Sequence, residues 1–164
     1  MQAMEAGISV YFRAEKHESA LFVVVGLCAL GASGWLLRNG GPYRGMIVPL
    51  AAVALIQLVV GGSVWLRTDA QLARLLEQAK AGPPEYQRVE LARMNQVMAN
   101  FRAYKAIEIA VLLVGSALAL AFPHRPGLYA AGIGCIIQGA LMLVLDLFAE
   151  QRGRAYIDAV HRIT

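Results

Sequence analysis

The stretch MIVPLAAVALIQLVVGGSVWL, Met46 to Leu66, runs through 21 residues without a charged side chain. About 20 apolar residues in helical conformation cross a hydrocarbon layer of about 30 Å, so this segment is long enough to span a membrane. Three more apolar stretches flank it, Ala20–Leu37, Ala106–Phe122 and Gly127–Phe148, and none contains an internal Lys or Arg. The chain has 164 residues, is 58% hydrophobic and only 16% charged, too apolar for an ordinary soluble domain. A water-soluble core of this size could cover one such helix but not four. The expected fold class is therefore all-α: a polytopic membrane protein with four transmembrane helices in a bundle and a cytoplasmic helical hairpin.

Orientation is read from the basic residues. Twelve of the fifteen Lys and Arg lie in residues 1–19, 67–105 and 149–164, and the other three are Arg38, Arg44 and Arg125. Basic residues accumulate on the cytoplasmic side, which predicts a multi-pass protein of a bacterial-type inner membrane with both termini cytoplasmic. The net charge of +4 and pI near 9.3 express the same bias. No basic face interleaved with stacking aromatics is present, so nucleic acid is not an expected partner. The first span is too long for a signal-peptide core and follows a mixed-charge segment, so cleavage is not expected. Cys28 and Cys135 fall within spans as small packing residues, and neither a disulfide nor a metal framework is inferred.

The remaining segments read as connections and water-side helices. In residues 1–19, Met4, Ile8, Tyr11 and Phe12 recur at helical spacing, giving an amphipathic N-terminal helix that lies on the inner leaflet or runs into the first span. Arg38–Arg44 and Pro123–Pro126 are short outer turns rich in Gly and Pro, which makes spans one and two, and spans three and four, antiparallel neighbours. Pro49 is tolerated one turn into the second span, where N–H groups lack helical partners. Between spans two and three, Leu72, Leu75, Leu76 and Ala79 form one stripe, and Leu91, Met94, Val97, Met98, Phe101 and Tyr104 form another, with Ala81–Pro84 as the break. No breaker follows before Phe122, so the second stripe and span three are expected to be one helix of about 39 residues and roughly 58 Å. The two stripes are expected to pack on each other within the cytoplasmic hairpin. Residues 149–164 read as a cytoplasmic tail helix. A faint repeat pairs Glu18, Gly26 and Gln57 with Glu108, Gly115 and Gln138, at unequal spacings.

Catalytic signatures are missing: there is no phosphate loop, dinucleotide fingerprint, nucleophile elbow, Cys-x-x-Cys or His-Glu-x-x-His, and no catalytic residue or cofactor is assigned. Attention falls instead on polar residues within the spans. Cys135, Gln138, Met142, Asp146 and Glu150 share one face of span four; Glu108, Leu112, Gly115 and Ala119 share one of span three; Glu18, Phe22, Val25, Ala29 and Ser33 share one of span one. These faces put Glu18, Glu108 and Asp146 at similar depth near the inner surface, within reach of Lys105, and Gln57 and Gln138 near the midplane. Such a cluster is either an ion-pair and hydrogen-bond network that fixes helix register, the preferred reading, or a proton or cation path. Gln57 and Gln138 are expected to hydrogen-bond between helices. A metal site from His17, Glu15, Glu18, Glu150 and His161 lacks the Glu-x-x-His pattern of di-iron bundles and is set aside. Ala29 with Ser33, Gly115 with Ala119, and Ala130 with Gly134 offer small-residue faces for close helix packing.

In topology the chain is similar to the small membrane-embedded immunity proteins that shield bacteria from pore-forming toxins, which also have few spans and cytoplasmic ends. The absence of catalytic signatures and the small-residue faces at Ala29/Ser33, Gly115/Ala119 and Ala130/Gly134 make a non-enzymatic interaction module the leading expectation, recognising a toxin or another membrane protein, or itself as a homo-oligomer, within the lipid bilayer. The alternative is a small oligomeric channel or proton-coupled transporter built on the inner-side carboxylates.

Overall fold

The computed structural model describes the backbone of residues 2–162 and the side chains among them, apart from those of residues 2–4 and 83. The side chain of Met4 in the N-terminal apolar face, and the last two residues of the C-terminal tail, lie outside the described residues. Four long helices carry almost the whole chain: α1 (Gln2–Asn39), α2 (Ile47–Ala81), α3 (Pro83–Ala121) and α4 (Pro126–His161), with a short 3-10 helix over Gly41–Met46. Each contains a stretch long and apolar enough to cross a membrane.

The helices are long because nothing interrupts them. No proline lies inside α1, and α3 and α4 place theirs in the first turn, where a missing N–H costs nothing. The N-terminal amphipathic segment therefore continues into the first apolar stretch as one helix of 38 residues and does not fold back as a separate element. Likewise α3 is a single helix of 39 residues, and the tail continues α4. At 1.5 Å per residue the four helices measure about 52 to 58 Å, so about 20 Å or more of each exceeds a hydrocarbon layer. The chain reverses at Gly41, whose φ of 46° lies in the left-handed region that glycine tolerates, and at Phe122–Arg125.

Packing follows the chain order. Helix α1 lies along α2 and α3 along α4, while α4 also touches α1, α2 and the 3-10 helix. Apolar side chains within the stretches face outward, among them Val48, Val59, Leu66, Leu113 and Leu120. The compact apolar core sits instead in the extensions beyond the apolar stretches, where Ile8, Phe12, Leu75, Ala79, Tyr86, Met94, Tyr156 and Val160 form one buried cluster. Both stripes flanking Ala81–Pro84 enter this cluster, and the N-terminal end of α1 and the C-terminal end of α4 join them, because all four helices extend the same way past the apolar zone.

Candidate functional site

Helices α3 and α4 approach closely where glycines remove side-chain bulk. A Cβ on Gly115 would lie 2.8 Å from the Gly132 carbonyl oxygen and 2.8 Å from Cys135 Cβ, and one on Gly139 would lie 3.1 Å from Leu112 Cγ. Below that contact stand the Glu108 and Asp146 carboxyl groups, one from α3 and one from α4. Each residue is only 6% exposed, and Glu108 Oε2 has no donor among the described residues. Lys105 lies three residues before Glu108 on α3.

Lys105 is itself engaged. Its Nζ is ion-paired to Glu150 Oε2, and Arg154 Nη2 donates to Glu150 Oε1 at 2.6 Å. These hydrogen bonds from Lys105 and Arg154 hold the Glu150 carboxyl below the usual carboxylate range. Glu150 lies one helical turn beyond Asp146 on α4.

Glu18 does not join this group. It forms an ion pair with Arg152 of α4. Gln57 and Gln138 are fully buried at 0% and 2% exposure. Gln57 Nε2 donates to Met142 Sδ at 3.2 Å, and the side-chain oxygens of both glutamines lack donors among the described residues. Gln57 thus makes its interhelical hydrogen bond from α2 to Met142 of α4. The five residues considered for a metal are likewise not brought together: no group of three or more His, Cys, Asp or Glu among the described residues could hold an ion.

A second polar constellation lies inside the apolar core. Arg93 makes a bidentate contact to Glu90, Nε to Oε2 at 2.8 Å and Nη2 to Oε1 at 2.6 Å, while Glu90 is 1% exposed. The Tyr156 hydroxyl donates to Glu90 Oε1 at 2.9 Å and lies 2.8 Å from the Tyr86 hydroxyl. Tyr11 stacks on Tyr156 with ring centroids 4.2 Å apart. Burial, with the Glu90 charge behind it, pushes the Tyr156 hydroxyl far above its usual range, and burial raises Tyr86 to about 12. Glu15 beside them is also raised by burial, though Arg93 and Arg67 pull it back. A signal for Glu90 was present: it sits four residues from both Tyr86 and Met94, a carboxylate on an apolar stripe. Glu15 similarly follows Ile8 and Phe12 at i+7 and i+3.

The small-residue positions fall inside the chain's own contacts. Ala29 and Ser33 are buried, the Ser33 hydroxyl donating to the Ala29 carbonyl at 2.8 Å. Gly115 faces Gly132, whose own Cβ would lie 2.8 Å from the Ala119 nitrogen. Ala130 is 1% exposed, and a Cβ on Gly134 would lie 2.8 Å from Pro49 Cγ.

Compared with known proteins, the chain matches no family model, no curated protein and no solved structure.

Proposed function

We propose that the chain is a four-span inner-membrane protein with cytoplasmic termini, its helices bundled and prolonged into the cytoplasm, whose Glu108–Asp146 pair binds a proton or small cation reached from the cytoplasmic side. The observation that carries this reading is the pair itself. Glu18, Glu90 and Glu150 each contact a basic side chain, whereas Glu108 and Asp146 are buried on the facing helices α3 and α4 with no ion pair among the described residues. Buried acids inside a span are costly and tend to mark ion pathways. The orphan amide oxygens of Gln57 and Gln138 extend the polar line toward the midplane, which supports coupling to transport over a purely structural role.

The test is a pH step on protein reconstituted in liposomes, followed by infrared difference spectroscopy and by ion flux. A protonated-carboxyl signal and a proton or cation flux are expected, and both should fall in Glu108→Gln. Spectra and fluxes indistinguishable between wild type and Glu108→Gln would sink the proposal.

Recognition of a toxin or another membrane protein, in an immunity-type role, is the second reading. Val10 and Val89 favour it, since they stay exposed in the water-side extensions, outside the apolar stretches. Extraction with native lipid and mass spectrometry would then recover a stoichiometric protein partner.

A further inference from the structure

At the edge of the inner apolar zone, α1 and α2 border a cleft of about 290 Å³ lined by Arg13, Lys16, Thr68 and Asp69 over Phe12 and Leu72. Lys16 lies four residues before Ala20 and Asp69 three residues after Leu66, about 4 to 6 Å beyond the apolar boundary at 1.5 Å per residue. Given the four-span reading, on which this inference rests, that depth is the headgroup layer, about 5 to 8 Å thick on each side. Trp65 marks the same level, as tryptophans do at membrane interfaces, and Lys16 Nζ stands 5.0 Å from its ring centroid.

The cleft offers both signs of charge. Lys16 Nζ contacts Asp69 Oδ2 at 2.5 Å, and the Asp69 side chain is 72% exposed, so its carboxylate remains open to a further donor. We infer that this cleft binds the headgroup of a zwitterionic phospholipid bearing a primary amine, such as phosphatidylethanolamine. Lys16 and Arg13 take the phosphate, and Asp69 accepts from the ammonium, so the lipid's own pair of charges interleaves with the protein's. A wholly anionic headgroup offers the same phosphate to the two cations but has no ammonium to place against Asp69. A choline headgroup carries no N–H to donate. The discrimination therefore resides in Asp69, and general affinity for phosphate in the two cations.

The full-length protein in detergent micelles, titrated with phosphatidylethanolamine, phosphatidylcholine or phosphatidylglycerol and followed by native mass spectrometry, tests this. Phosphatidylethanolamine should be retained about tenfold more tightly than the other two, the worth of one charge-assisted hydrogen bond. Asp69→Asn should abolish that preference, and Lys16→Gln should weaken all three phospholipids. Equal retention of the amine and choline lipids, or a preference that survives Asp69→Asn, would overturn the inference. So would saturation by soluble phosphoethanolamine at the concentrations that suffice for the lipid, which would make a free metabolite the ligand. If Lys16→Gln does not fold, Asp69→Asn still decides the matter. A membrane-inserted chain without headgroup preference defeats this site alone, whereas a chain recovered outside the membrane fraction defeats the four-span reading itself.

Discussion

Glu150 and Glu15 both lie beyond the apolar stretches and titrate in opposite senses. Lys105 and Arg154 hold the Glu150 carboxyl below its ordinary value, so the stability it contributes is present at neutral pH and is lost as pH falls through the depressed value. Glu15 is raised by burial, so its contribution is full below the ordinary carboxylate value and is lost as pH rises through the raised one. Glu150→Gln should lower stability at neutral pH by about 2 kcal/mol, the range for hydrogen bonds to a charged group, and flatten the acid side of a stability–pH profile measured in detergent. Tyr156→Phe removes the hydroxyl that Glu90 accepts from and that Tyr86 meets, and should cost about 1 to 3 kcal/mol by thermal denaturation. If Glu108 and Asp146 act as one unit, the stability effects of Glu108→Gln and Asp146→Asn should depart from additivity by about 0.5 to 3 kcal/mol. Additive effects would mean that the two carboxyls do not communicate.

The α3–α4 contact is where one substitution should break a whole element pairing. Gly115 leaves no room for a side chain: the nearest atoms are the Gly132 backbone and Cys135 Cβ, which cannot swing aside. Gly115→Leu should separate the two helices, carry Glu108 away from Asp146 and lower the detergent melting midpoint, whereas Gly62→Ala, with nothing within 4 Å, should leave it unchanged. At this scale the sequence was most readable. Long apolar stretches and Gly–Pro turns specify four helices and the two hairpins, since hydropathy and backbone restriction are local properties. Which faces meet across helices is not local. The periodicity that places Glu18 on a face of α1 carries nothing about Arg152 lying opposite, and the same holds for Gln57 and Met142. Glu90 was overlooked for a different reason: its stripe was read for apolar residues only, although a carboxylate in that register is itself a sign of a buried polar contact.

For the whole molecule, polarity along the apolar stretches is the reverse of that in a soluble bundle: apolar side chains cover the outside, while Gln57, Glu108, Gln138 and Asp146 are enclosed. Water cannot satisfy backbone or carboxyl groups within a hydrocarbon layer, so enclosing polar groups between helices suits such surroundings. The single-sided extension also gives the chain a direction. All four helices prolong past the apolar zone on the side holding twelve of the fifteen Lys and Arg, and the short turns with Arg38, Arg44 and Arg125 lie on the other. If that enriched side is cytoplasmic, a cysteine placed at Gln78, near the end of α2 in the extension, should resist a membrane-impermeant thiol reagent in intact cells and react once they are opened. A cysteine at Tyr43, 58% exposed in the 3-10 turn, should react in intact cells. The comparison has to be made on a background lacking Cys28 and Cys135, the two native thiols. Labelling of Gln78→Cys in intact cells would invert the chain and make the Glu108–Asp146 pair face the periplasm. The proton or cation it binds would then have to arrive from outside.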